Sequence, residues 1–172
     1  MARAAYRQQA PHRHAGFSYL GLLFAVVIIG ITLATVGVVW STHIRREKEA
    51  DLLFAGDQIR AAIGRYYGET PIGAHVYPGT LADLLQDERG PKVRRHLRRL
   101  YFDPMTASAD WQLIDAPEGG IMGVVSGSLG TPIKQTNFSS NDADFEQADC
   151  YCKWRFIYTP PYQRRAQSTI QH

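Results

Sequence analysis

The chain has 172 residues, of which 45% are apolar and 20% charged, a balance that is typical of a globular domain rather than a disordered or collagen-like chain. Its formal net charge is +3, and Arg3, Arg7 and Arg13 account for all of it, because the remaining chain has sixteen basic and sixteen acidic residues. This distribution argues against a protein that binds nucleic acid through an overall positive charge.

The segment 17–40 contains 24 residues without one charged side chain or histidine, although the mean hydropathy of the chain is -0.25. As a helix it would be about 36 Å long, enough to cross a hydrocarbon core of about 30 Å. A secretory signal has a shorter apolar stretch and a small-residue cleavage site, which 38–41 does not offer. We therefore predict a transmembrane helix over 17–40, rather than a signal peptide, a buried core helix or part of a simple soluble enzyme.

The orientation of this helix follows from what lies on each side of it. Three basic residues precede it and three follow it, so the charge rule alone does not decide. The segment 1–16 is too short to fold, and everything that could fold comes after residue 40. We predict a single-pass protein with a cytoplasmic N-terminus and a head on the other side of the membrane.

The junction before the apolar run reads Arg13, His14, Ala15, Gly16, Phe17, and uncharged residues follow directly. This pattern resembles the N-terminal cleavage and methylation signal of the type IV pilin and type II secretion pseudopilin family. The resemblance implies that prepilin peptidase removes the basic leader 1–16 by cutting between Gly16 and Phe17, and that the new N-terminal Phe17 is methylated.

The chain departs from the family pattern at Gly21, where most members carry a Glu. In the family that carboxylate is thought to pair with the terminal amine of a neighbouring subunit, which offsets the cost of a charge in an apolar bundle. A subunit with Gly21 can receive such a carboxylate but cannot supply one. Val38 also replaces a helix-kinking Pro of many members. Both departures favour a minor or atypical pseudopilin.

The helical pattern continues beyond the apolar run, over 41–67. A helix over 17–67 would be about 76 Å long and would end at Gly68. We expect Glu49 and Arg60, with the other charged residues of this half, to lie on the faces away from the core. Its apolar residues recur at helical spacing and predict a core-facing stripe: Ile44, Leu52, Ala55, Ile59, Ala62, Ile63 and Tyr66.

Short helices are predicted within 77–104. Thr80 and Asp83 form a plausible capping arrangement for a helix over 81–87. A second short helix covers 93–100, and Asp103 with Pro104 indicates a turn.

Strand-like periodicity begins at Trp111 and predicts strands over 111–114, 121–125 and 154–158. The first two form a hairpin, and the third returns to make a small antiparallel sheet that the helix 41–67 covers. The segment 126–149 is a loop, with room for a short strand near Ile133, and 163–172 is a disordered tail. The predicted fold class is α+β, with a pilin-like head over 41–162 that resembles the periplasmic heads of the family.

No side chains suggest catalysis, and we do not expect an enzyme. The sequence around Ser126 lacks a nucleophile-elbow pattern, and the six histidines are scattered. We also expect no cofactor, with one alternative. An oxygen-rich loop could wrap Ca²⁺, as in the major pseudopilins that it resembles, although it lacks EF-hand spacing and we favour a solvated acidic loop. Its residues are Asn141, Asp142, Asp144, Glu146 and Asp149.

A dense basic cluster lies between Arg89 and Arg99. Such a cluster could contact phosphates, as in minor pilins that bind DNA. Acidic residues lie close in sequence, and no aromatic residues alternate with the arginines, so we favour a solvated face or one that docks on acidic neighbours. We do not expect nucleic-acid binding.

Cys150 and Cys152 are two residues apart. If they lay in a strand, both would point to one face and a ring of this size would be strained, so we do not expect a routine bridge. A strained bridge, reduced thiols and a cross-link to another chain all remain open.

These features favour a structural role over catalysis. The resemblance implies a pseudopilin-like subunit of a short periplasmic filament in a type II protein secretion system. Its partners would be other pseudopilins or pilins, prepilin peptidase and the inner-membrane assembly platform. It would reside in the bacterial inner membrane and then in the filament. The alternative is a type IV minor pilin that binds DNA or a surface through the cluster 89–99. A plain anchored domain is a third possibility.

Overall fold

The computed structural model describes residues 15–70 and 75–161, except for the side chains of 15–18 and 34–39. Most of the predicted leader 1–16 and all of the predicted tail 163–172 lie outside the described residues. The chain forms two compact units, Met1–His43 and Ile44–His172.

Helix α1 is Ala15–Gly68 and has 54 residues. In the first unit, every residue from 19 to 33 is exposed. Among the described residues, which leave out the side chains of 34–39, no helix combines the length and the hydropathy that a membrane span requires.

The second unit contains a three-stranded antiparallel sheet. Its strands are β1, Gln112–Asp115; β2, Ile121–Val125; and β3, Arg155–Ile157. They are ordered β1-β2-β3, so β2 is central. The predicted hairpin is confirmed, and its turn needs glycine because Gly119 and Gly120 have φ of 93° and 82°. The α+β class with a small antiparallel sheet is therefore confirmed.

The core of this unit lies between the helix and the sheet. The predicted stripe from Leu52 to Tyr66 is buried, whereas Ile44 is exposed. Gly56 lets the helix approach β3 closely, because a Cβ there would overlap the ring of Phe156. Gly64 does the same for Tyr158, the residue after β3, since a Cβ there would lie 2.7 Å from its ring. Large side chains from the sheet and the neighbouring loop complete the core: Ile121, Val124, Phe145, Tyr151, Trp154 and Phe156.

Between α1 and β1, the described residues 75–111 contain one short helix rather than the two predicted. The predicted helix 81–87 is a 3-10 helix, Leu81–Leu84, and the expected capping box of Thr80 and Asp83 is present. The prediction of a second helix over 93–100 is wrong. The amides of His96 and Leu97 both donate to the carbonyl of Leu84, at 2.9 and 2.8 Å, so they are not available to a helix.

The predicted loop 126–149 contains a 3-10 helix, Ser140–Phe145, and another, Tyr151–Lys153, follows it. The short strand considered near Ile133 does not form. The amide of Ile133 donates instead to the carboxylate of Glu49 on α1.

Candidate functional site

The first unit presents an apolar surface on all sides of the helix from Tyr19 to Leu33. A contiguous apolar surface of this size is unfavourable in water and must be covered by lipid or by other apolar surfaces. The exposed large side chains are Tyr19, Leu20, Leu22, Leu23, Phe24, Val26, Val27, Ile28, Ile29, Ile31 and Leu33.

Small and polar residues in this stretch are compatible with apolar surroundings. The hydroxyl of Thr32 donates to the carbonyls of Ile28 and Ile29, at 3.0 and 2.8 Å, so it needs no partner outside the helix. A Cβ at Gly21 or Gly30 would contact nothing within 4 Å. These glycines leave room for another helix to approach, and Gly21 offers no carboxylate to it.

The predicted cleavage site lies in the first turn of α1. Gly16 is the second residue of that helix, and the side chain of Phe17 is outside the described part. Cleavage between Gly16 and Phe17, and methylation of Phe17, stay predictions.

In the second unit, Glu49 connects α1 to the loop and to the segment after it. Its carboxylate is buried and accepts hydrogen bonds from the amides of Ile133 and Lys134 and from the hydroxyl of Tyr151. Burial of the phenol and its hydrogen bond to Glu49 raise the pKa of Tyr151 to about 12. The Tyr151 hydroxyl therefore stays a donor to Glu49 at physiological pH.

Arg60 holds the acidic loop against the helix. Its guanidinium donates to the Asn141 carbonyl at 3.0 Å, to the Asp142 carboxylate at 2.9 Å and to the Asp57 carboxylate. Our expectation that Glu49 and Arg60 face away from the core is wrong, since both are buried. Each is buried with hydrogen-bond partners, as buried charges generally are.

The acidic loop residues do not converge on one point. Asp142 is bonded to Arg60, and Asp149 pairs with Lys153 at 2.9 Å. Hydrogen bonding from Lys153 lowers the pKa of Asp149. Asn141, Asp144 and Glu146 are exposed. In the described part of the chain, no three His, Cys, Asp or Glu side chains form a group that could hold a metal ion.

The basic cluster divides into a structural part and a free part. In the structural part, Asp87 is buried, lies 2.9 Å from His96 Nε2 and accepts hydrogen bonds from Arg89. Those hydrogen bonds from Arg89 are the main reason why the pKa of Asp87 is well below its usual range. Arg89 also donates to the Tyr66 carbonyl and stacks 3.4 Å from its ring, which attaches this segment to α1.

In the free part, Lys92, Arg95 and Arg98 are exposed and form no ion pair within residues 15–70 and 75–161. Most of the neighbouring acids, which were expected to balance them, are engaged elsewhere. Asp83 caps the first 3-10 helix, and Asp103 is fully buried against Ser126. The surface around Arg95 and Arg98 is therefore more basic than the sequence suggested.

Two adjacent depressions lie on this side of the second unit. The first, which we call the basic groove, has a volume of about 440 Å³ and is lined by Gln58, Arg65, Arg95, His96, Leu97, Arg98 and Tyr101. The second, the apolar groove, has a volume of about 720 Å³, and its lining includes Phe54, Leu100, Tyr101, Phe102 and Pro104. Tyr101 lines both, so the two grooves adjoin.

Cys150 and Cys152 form a disulfide, with their Cα atoms 5.1 Å apart. We did not expect a routine bridge, and of the possibilities left open the structure shows a bridge within the chain. The argument considered both residues in a strand, whereas Cys150 is the N-cap of the 3-10 helix Tyr151–Lys153 and precedes β3. The tight turn there brings the two side chains together.

The sequence contained a signal for the buried charges that we missed. Glu49 precedes Leu52 by three residues, and Arg60 precedes Ile63 by three, so both lie close to the apolar stripe. A charge at such a position indicates a partner from elsewhere in the chain.

No family model matches this chain, and neither the curated proteins nor the solved structures include a match.

Proposed function

We propose that this protein is a structural subunit, similar to a minor pseudopilin, of a short periplasmic filament in a type II protein secretion system. The observation that carries the proposal is the exposed apolar surface from 19 to 33 directly behind a basic leader with a Gly16–Phe17 junction. In this proposal, 17–40 first spans the inner membrane and then packs among the helices of neighbouring subunits.

The same physical effect, burial of apolar side chains away from water, would hold the helix in the membrane and in the filament. Lipid and a bundle of apolar helices both cover the side chains from Tyr19 to Leu33 and remove them from water. The head then lies in the periplasm, and its pilin-like outline, a helix packed on a small antiparallel sheet, supports the proposal. In this proposal the subunit acts by assembling with other pseudopilins and with the assembly platform, and it catalyses no covalent chemistry itself.

Processing of the N-terminus tests the proposal. The intact mass of the protein from its native membrane should correspond to a chain that begins at a methylated Phe17. Gly16→Leu should prevent the cut, since the leader of the family that this chain resembles ends in Gly at this position. Ala4→Leu, in the leader but away from the junction, is the matched control and should be processed. A native protein that retains residues 1–16 would contradict the proposal.

A second candidate is a type IV minor pilin that binds DNA or a surface. Arg95 and Arg98, which form no ion pair in the described part of the chain, favour it, because phosphate contacts would supply weak, salt-dependent affinity. A gel shift with the full chain at low salt tests it. Binding that disappears both with added salt and in Arg95→Glu/Arg98→Glu would support this candidate.

A further inference from the structure

The basic and apolar grooves form one composite surface whose chemistry indicates a type of partner. Arg95 and Arg98 are exposed arginines without ion-pair partners among the described residues, and a guanidinium matches a carboxylate with two parallel hydrogen bonds. Beside them, the side chains of Phe54 and Phe102 are 55% and 65% exposed. Exposed aromatic residues next to arginine are the composition found at the centres of protein interfaces.

We propose that the two grooves together bind an acidic segment of another protein. Carboxylates of that segment pair with Arg95 and Arg98, and an apolar side chain enters the apolar groove between Phe54 and Phe102. The surface around Arg95 and Arg98 can attract carboxylates of a partner because the nearby acids of this chain, Asp83, Asp87 and Asp103, are engaged within the head. The residues that line both grooves lie wholly in the second unit.

A protein segment fits this surface better than a nucleic acid does. Asp51 lines the apolar groove together with Lys48, where the proposed segment places an apolar side chain, whereas a continuous phosphate backbone would bring further negative charge against this exposed carboxylate. The ring of Tyr101 is also not free to stack on bases. It meets Phe54 edge-on, with centroids 5.8 Å apart, and the Arg99 guanidinium lies 5.2 Å from its centroid. Mixed charge around an apolar depression is typical of a protein interface.

The test uses the full-length chain in cells of its own organism, with Phe102 replaced by the photoreactive residue benzoylphenylalanine. Illumination should cross-link it to a peptide of another protein that carries carboxylates beside an apolar side chain. In a chain that also carries Arg98→Glu, the yield should fall at least about fivefold, because the charge pair becomes a repulsion. Arg155→Glu, at an exposed arginine of β3, is the matched control and should leave the yield unchanged.

Further arms make the result decisive. Arg98→Gln serves as a second variant if Arg98→Glu lowers the melting temperature, and it should also reduce the yield. Changing the captured carboxylates to Lys should restore cross-linking to the Arg98→Glu chain. The proposal would be overturned if neither Arg98 variant reduced the cross-linking yield, or if no cross-link formed. It would also be overturned if the chain cross-linked only to nucleic acid or only to a second copy of itself.

The same samples separate this proposal from the filament proposal. The N-termini of the cross-linked and of the uncross-linked chains are read by mass spectrometry. Chains that begin at Phe17 in a sample where no cross-link forms contradict the partner surface alone, whereas cross-linked chains that retain 1–16 contradict the filament role alone.

Discussion

The hydroxyl of Tyr151 donates a hydrogen bond of 2.8 Å to the carboxylate of Glu49, across 102 positions of the sequence. Together with the amides of Ile133 and Lys134, it surrounds a buried negative charge on the helix with three donors. This arrangement explains how the long segment after β2 is attached to α1 although it has little regular structure.

The first prediction concerns this attachment. Glu49→Ala leaves three donors without their acceptor and should lower the free energy of unfolding by about 2–4 kcal/mol. The loss of stability is measured by thermal melting of the full chain in detergent, monitored by near-ultraviolet circular dichroism. Asp51→Ala, two residues away on the exposed side, is the control and should melt within about 2 °C of the original chain. Equal melting temperatures for both variants would show that Glu49 does not anchor the loop.

The second prediction concerns the contact between helix and sheet. Gly56→Ala places a methyl group in the space of the Phe156 ring and should destabilise the head by about 1–3 kcal/mol, although Ala favours a helix. Gly68→Ala, where a Cβ meets nothing within 4 Å, should have a much smaller effect. Denaturation of both variants in parallel distinguishes close packing from helix propensity. A stabilised Gly56→Ala would contradict the observed contact.

The third prediction concerns pH. The pKa of Asp87 is lowered from 3.8 in the folded chain, mainly by hydrogen bonding from Arg89, so the carboxylate stabilises the fold above pH 3.8. This contribution is lost as the pH falls through the lower, folded pKa. Asp87→Asn should therefore melt several degrees below the original chain at pH 7, and the difference should shrink between about pH 5 and pH 2.

Asp115→Asn provides the comparison, because Asp115 is exposed at the end of β1. Its melting temperature should follow that of the original chain at every pH. A gap between Asp87→Asn and the original chain that stays constant from pH 7 to pH 2 would mean that Asp87 acts through packing rather than charge.

The fourth prediction concerns the acidic loop. We expect equal melting temperatures in excess Ca²⁺ and in EDTA, since Asp142 and Asp149 are engaged by Arg60 and Lys153. A higher melting temperature in Ca²⁺ that disappears in Asp144→Asn would instead establish the calcium alternative.

The fifth prediction concerns Cys150 and Cys152. The unreduced intact protein should be lighter than the reduced protein by two hydrogen atoms, and it should not react with a thiol reagent until it is reduced. A Cys152→Ser chain leaves Cys150 free and provides the reactive control. A dimer that disappears on reduction would indicate a cross-link between chains instead.

Much of the architecture was predictable because it depends on local patterns. The stripe from Leu52 to Tyr66, the hairpin around Gly119 and Gly120 and the capping box of Thr80 and Asp83 all use residues that are close in sequence. The segment 93–100 was mispredicted as a helix for the opposite reason. Its amides bond to the carbonyl of Leu84, and no local pattern shows that partner.

The sequence by itself determined where the net charge and the apolar run lie, since composition suffices for these, and it predicted a cleavage junction between Gly16 and Phe17. Only the tertiary structure decided which charges are structural and which are free. Glu49 and Arg60 are buried with partners that are distant in sequence, Tyr151 and Asp142. Asp87 is buried with the nearer Arg89 and His96, which the fold of this segment brings against it. Within residues 15–70 and 75–161, Arg95 and Arg98 form no ion pair, because nearby acids are bonded elsewhere. Charge pairing depends on distance in space, and the fold sets that distance.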